Sequence, residues 1–151
     1  MATSVRSSSL VLESRLDAID DARRWVRACA DEAAIGDHEA ALRSDVVSAI
    51  ELALTEVLSN VIRHAYDGRP DQAIDLVVEI DRFAIRLEVC DDGRPFDAEA
   101  YRPPDLANPG RGGYGVMLIE SLMDEVVRER LGDRGTRLSL VKRFESGVLR
   151  G

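Results

Sequence analysis

Two alternating apolar stretches, Ala73–Ile80 and Phe83–Cys90, are separated only by Asp81-Arg82. Parallel strands need a crossover of a dozen or more residues, so this connection makes the pair an antiparallel hairpin. Around it the spacing predicts a strand at Ser8–Ser14 and helices from Asp17 to about Ala34, from about His38 to Tyr66, and over Tyr114–Leu122. A closing hairpin follows, Met123–Leu131 and Thr136–Val141, around Gly132-Asp133-Arg134-Gly135. This order lacks the strict alternation of a doubly wound fold. The expected fold class is α+β: a two-layer sandwich with helices on one face of a mixed, mainly antiparallel sheet.

The helical segments carry their own periodicity. Ile19, Ala22, Trp25, Val26 and Cys29 mark the first, and Leu42, Val46, Ile50, Leu54, Leu58 and Val61 form a stripe along the second, which Asp67-Gly68-Arg69-Pro70 ends. Between Asp92 and Gly113 lie four of the five prolines and little apolar periodicity, so residues 94–112 read as a long loop, a lid over a site. With 151 residues and 45% apolar composition, a single domain over 1–151 is expected, its core spanning about 10–142. The tail from Phe144 to Gly151 reads as frayed.

The formal charge of −8 argues against broad nucleic-acid binding, which favours a basic surface. No apolar run approaches the roughly 20 residues of a membrane span, and Met1–Ser9 lacks a hydrophobic signal core, so a cytoplasmic protein is expected. Cys29 and Cys90 read as reduced, buried thiols, and with only His38 and His64 no zinc spacing can be assembled. Magnesium carried in with a nucleotide stays open.

Four short blocks carry chemistry. Glu56 and Asn60, four residues apart on the second helix, point to one face away from the apolar stripe, and His64 continues their row. A carboxylate there can accept a hydroxyl proton and an amide oxygen can bind magnesium. In isolation such a pair also suits a solvated helix face. Asp91-Asp92-Gly93 ends an apolar strand; it makes a turn, or it places Asp91 to accept the exocyclic amine of adenine, with Gly93 allowing close approach. Gly110 to Gly115 has four glycines in six positions before a helix, a hinge or an anion cradle. It is neither a Walker A loop nor a full dinucleotide fingerprint. Arg102 and Arg111 are the cations in or beside the loop. Gly135-Thr136 opens the last strand, as a turn or as a hydroxyl near adenine.

Together, in this order, the blocks resemble the GHKL superfamily of ATPases and kinases (Bergerat fold), and within it the anti-sigma-factor serine kinases of bacterial partner-switching systems. Glu51 to Tyr66 is similar to that group's N box, Val89 to Asp97 to its first glycine box in the Pro-Phe-Asp form, Gly110 to Val116 to its second, and Gly135-Thr136 to its last. The likeness covers about Leu10 to Val141. Tyr114 stands where leucine is commoner, and residues 97–112 follow no pattern of the group.

The resemblance implies Glu56 as general base, Asn60 as magnesium ligand and Asp91 as adenine contact. His64, Gly93, Arg111, Gly112, Gly113, Tyr114, Gly115, Val116 and Thr136 complete the implied nucleotide site. Arg23, in the first helix, matches a position that touches the sigma factor. ATP and Mg²⁺ are the implied cofactors. The implied partners are a sigma factor, a STAS-domain anti-anti-sigma factor and a second copy of the chain, with no nucleic acid and no membrane. Other readings are a non-catalytic ATP-sensing switch, the detached ATPase domain of a sensor histidine kinase, and a chaperone or repair ATPase module. The histidine kinase reading is weakened by the lack of a dimerisation helix pair with a phospho-acceptor histidine.

Overall fold

The computed structural model describes residues 5–33, 40–95 and 114–144. Strand β1 (Arg6–Glu13) leads through a 3₁₀ turn (Leu16–Ala18) into α1 (Ile19–Ala33), and α2 (Ala40–Asn60) runs on into a π turn (Val61–Ala65). Strands β2 (Ala73–Ile80) and β3 (Ala84–Asp91), helix α3 (Tyr114–Leu122), and strands β4 (Glu125–Arg130) and β5 (Thr136–Arg143) complete the order. The sheet runs β1-β2-β3-β5-β4, and every pairing among the described residues is antiparallel, where a mixed sheet was expected. The short connections β2 to β3 and β4 to β5 each return the chain in the opposite direction, and β1 lies antiparallel to β2.

Period-two alternation divides the sheet into two faces. Leu12, Ile74, Leu76, Leu87, Val89, Leu138 and Leu140 point inward, against Ala22 and Val26 of α1, Ile50, Leu54 and Leu58 of α2, and Ile119 of α3. The opposite face carries rows such as Val11, Asp75, Cys90, Arg137 and Glu129, in register across all five strands. Arg137 pairs there with Glu129 at 3.1 Å and Glu88 at 3.8 Å. Cys90 is therefore half-buried rather than buried, and so is Cys29; neither forms a disulfide. Their spacing is apolar, but Cys90 alternates onto the outer face.

Three further boundaries depart from expectation. The second helix stops being α-helical at Asn60 and closes with five residues of π turn, sealed by the Tyr66 N–H donating to the Val61 carbonyl at 3.0 Å. Phe144, expected in a frayed tail, is buried, and its N–H donates to the Phe83 carbonyl at 2.9 Å, extending the sheet contact beyond β5. Strand β1 begins at Arg6 because the whole of β2 offers it a partner, from Arg6 opposite Ile80 to Glu13 opposite Ala73.

Candidate nucleotide site

The α2 stripe of Ile50, Leu54, Val57 and Leu58 is buried on the sheet, and this fixes the helix about its axis. Glu56 and Asn60 then fall together on one half-buried face. Helix α3 packs over it. A β-carbon on Gly115 would stand 3.0 Å from Glu56 Oε2, 3.4 Å from Asn60 Nδ2 and 3.5 Å from Asn60 Oδ1. The first turn of α3 and the Glu56–Asn60 pair thus meet at a glycine, and the open end of a helix favours an anion. Val116, next in the helix, is buried, and Tyr114 and Gly115 are half-buried. Asn60 does not spend its side chain on capping the π turn, so the amide faces the gap left by the glycine.

The second cluster lies at the end of β3. Asp91 is 8% exposed, an unusual position for a carboxylate, and sits opposite Thr136 of β5. Its Oδ1 accepts the Gly93 N–H at 2.9 Å. Burial pushes its pKa up, the Gly93 N–H opposes that shift, and the neighbouring Asp92 charge adds to it. One N–H fills one of roughly four acceptor positions on an ionised carboxylate, so Asp91 keeps capacity for a donor from a ligand.

The segment after β3 is threaded between two backbones. A β-carbon on Gly93 would stand 2.4 Å from the Ala65 carbonyl oxygen, and the Arg94 N–H donates to that oxygen at 2.8 Å. On the other side the Gly135 N–H donates to the Gly93 carbonyl at 2.8 Å, and a β-carbon on Gly135, whose φ is +94°, would stand 2.9 Å from the Asp91 carbonyl oxygen. The π turn and the β4–β5 hairpin therefore clasp residues 91–94, and Thr136 is carried to the Asp91 end by the same contact.

The π turn also breaks the expected Glu56–Asn60–His64 row. Its wider winding turns His64 off that face, and the ring is exposed. The His64 carbonyl instead accepts the Arg94 guanidinium at 3.0 Å, which also pairs with Asp67 at 2.6 Å. Arg111, Gly112 and Gly113, and the lid region from residue 96, lie outside the described residues. Arg23 is exposed on α1, 3.3 Å from Asp20, in a cleft shared with Arg24 and Arg27. Arg27 reaches Glu51 of α2, about 140° around that helix from Glu56. Sequence reasoning assigned no role to Tyr66. Its hydroxyl ties the π turn to both strands of the β2–β3 hairpin, and a tyrosine just past a helix end gives no signal of such a bond.

A donor set of one amide, one flanking carboxylate and a helix N-terminus suits a magnesium-bound polyphosphate, and the glycine at 115 leaves the room such a group needs. A buried acceptor at the strand end suits an amine-bearing base. No helix among the described residues is long and apolar enough to cross a membrane.

Comparison with known proteins identifies the family. The histidine kinase-like ATPase domain family matches residues 12–142. The chain is 31% identical over 115 residues to the serine-protein kinase RsbW of Staphylococcus epidermidis, covering 70% of this chain and 71% of that protein. It is 29% identical over 104 residues to an anti-sigma F factor of Clostridium botulinum, covering 66% and 73%. Among solved structures, the RsbU and RsbW domains of a Mycobacterium tuberculosis protein share the fold, with a TM-score of 0.60 at 21% identity. That likeness covers 91% of this chain and 32% of the other, so the chain spans about a third of that structure's length. From Leu12 to Lys142, the chain belongs to the histidine kinase-like ATPase domain family.

Proposed function

We propose that this chain is an ATP-dependent serine protein kinase that doubles as an anti-sigma factor. It sequesters a sigma factor and phosphorylates a serine of a STAS-domain anti-anti-sigma factor, acting as a cytoplasmic homodimer. The carrying observation is the meeting of Glu56, Asn60 and Gly115, with a buried Asp91 at the neighbouring strand end. The relatives named as serine-protein kinase and anti-sigma F factor support the same reading.

In this reading Asp91 accepts the adenine amine and rejects guanine, which presents a carbonyl at that position. Thr136 supplies a hydroxyl beside the base. The first turn of α3 receives phosphate charge, and Asn60 offers its side-chain oxygen to Mg²⁺. The metal, when bound, neutralises charge on the phosphates. Glu56 takes the proton from the substrate serine as its oxygen bonds to the γ-phosphorus and the bond to the ADP oxygen breaks. Arg23 lies on the partner-binding surface.

The test is transfer of label from γ-labelled Mg-ATP to a serine of candidate STAS-domain proteins. The expected result is label on the STAS protein with wild type and none with Glu56→Gln, which still binds ATP. Binding without transfer by the wild-type protein would favour the non-catalytic switch.

A further inference from the structure

Tyr66 is 2% exposed, yet its hydroxyl is fully engaged. It donates to the Ala73 carbonyl at the start of β2 and accepts the Asp92 N–H just past β3, each at 2.7 Å. A phenylalanine would fill the same volume, so packing does not explain the oxygen. What the oxygen does is geometric. The Asp92 N–H belongs to the same planar peptide unit as the Asp91 carbonyl. Fixing that N–H from one side, while Gly135 lies against the carbonyl from the other, fixes the peptide plane from which the Asp91 side chain departs.

The phenol reaches this bond because of the π turn. The bond from the Tyr66 N–H to the Val61 carbonyl closes this turn with Tyr66 beside the hairpin, and the His64 and Ala65 carbonyls, open as at any helix end, accept Arg94. The helix bearing Glu56 and Asn60 is thereby joined to the strand end bearing Asp91, and single π turns inside helices recur at functional sites.

We propose that Tyr66 is a positioning residue for base selection, its hydroxyl holding Asp91 in register with the Glu56–Asn60 face. This rests on the reading of Asp91 as the adenine acceptor. Tyr66 touches no nucleotide; it acts through the Asp91–Asp92 peptide.

The experiment is calorimetric titration of Mg-ATP and Mg-GTP into the full chain and into Tyr66→Phe. Trimethylamine N-oxide is added to favour the folded state of both proteins. The quantity read is the ratio of the GTP to the ATP dissociation constant. Loss of stability alone weakens both nucleotides by one factor and leaves the ratio unchanged. The inference predicts a ratio lowered on the order of tenfold, through ATP, because a hydrogen bond to a charged group is lost or misaligned. An unchanged ratio in a variant whose parent prefers ATP overturns the role of Tyr66 and leaves the function intact. A parent with no preference overturns the adenine reading, and this inference with it. Amide exchange in the parent gives a second reading without a variant. Asp92 is exposed, so slow exchange of its N–H supports the bond to Tyr66, and exchange at an open-chain rate overturns it.

Discussion

Glu56 on α2 and Gly115 on α3 approach so closely that an added β-carbon at 115 would stand 3.0 Å from Glu56 Oε2. The two helices meet at this point over the α2 face that also carries Asn60. A glycine there keeps a gap between a carboxylate, an amide and the start of a helix, the three groups a metal-bound phosphate would use.

Gly115→Ala therefore strikes function before stability. The atom in the way is the far end of a flexible side chain, and Glu56 yields by a few tenths of an ångström. Urea unfolding is expected to change by less than about 0.5 kcal/mol. Phosphoryl transfer is expected to fall by roughly tenfold or more, because the base is displaced from its hydroxyl. A single-turnover assay beside the unfolding curve checks both.

Gly93→Ala reverses that pattern. Its β-carbon would meet the Ala65 carbonyl oxygen at 2.4 Å and the carbonyl carbon at 2.7 Å, and backbone cannot swing aside. The expected cost is about 1–3 kcal/mol, as for overpacking elsewhere. A lowered urea midpoint with an unchanged slope is the predicted signature.

Asp91 links stability to pH with an unusual sign. Burial raises its folded-state pKa above the ordinary carboxylate value of roughly 3.9. Between the unfolded and the folded pKa the folded chain holds the extra proton, so stability falls as pH rises through that window and stays lower above it. Asp91→Asn keeps an acceptor for the Gly93 N–H and removes the charge. Its melting midpoint is expected to exceed the parent's at neutral pH, the gap closing as pH falls through the folded-state pKa. ATP binding moves the other way: the variant binds more weakly at neutral pH. Thermal melts and calorimetry across pH read the two effects separately.

Much of this was legible in the chain. The short link after Ile80 forced the hairpin, though it spans three residues, Asp81 to Phe83, where two were expected. Asp81 caps it, accepting the Phe83 and Ala84 N–H groups at 2.7 and 2.9 Å. Those bonds and Arg86 hold its carboxyl below the usual range despite burial. The four-residue spacing of Glu56 and Asn60 put them on one helix face, and strand alternation put Asp91 inward. The π turn was not legible, because Val61–Ala65 contains no proline or glycine to announce a change of winding. The exposure of His64 and the reach of Tyr66 both follow from it. The outward turn of Cys90 was legible from alternation, but its apolar neighbours masked it. The Phe144 N–H donates to the Phe83 carbonyl, a long-range bond that no local pattern encodes.

Calorimetric titration of Mg-ATP into the wild-type chain and into Asn60→Ala tests the shared site most directly. One Mg-ATP per wild-type chain is expected, with an affinity lowered roughly tenfold or more in the variant and magnesium dependence reduced alongside. Equal affinity and equal magnesium dependence in the two proteins would contradict this expectation.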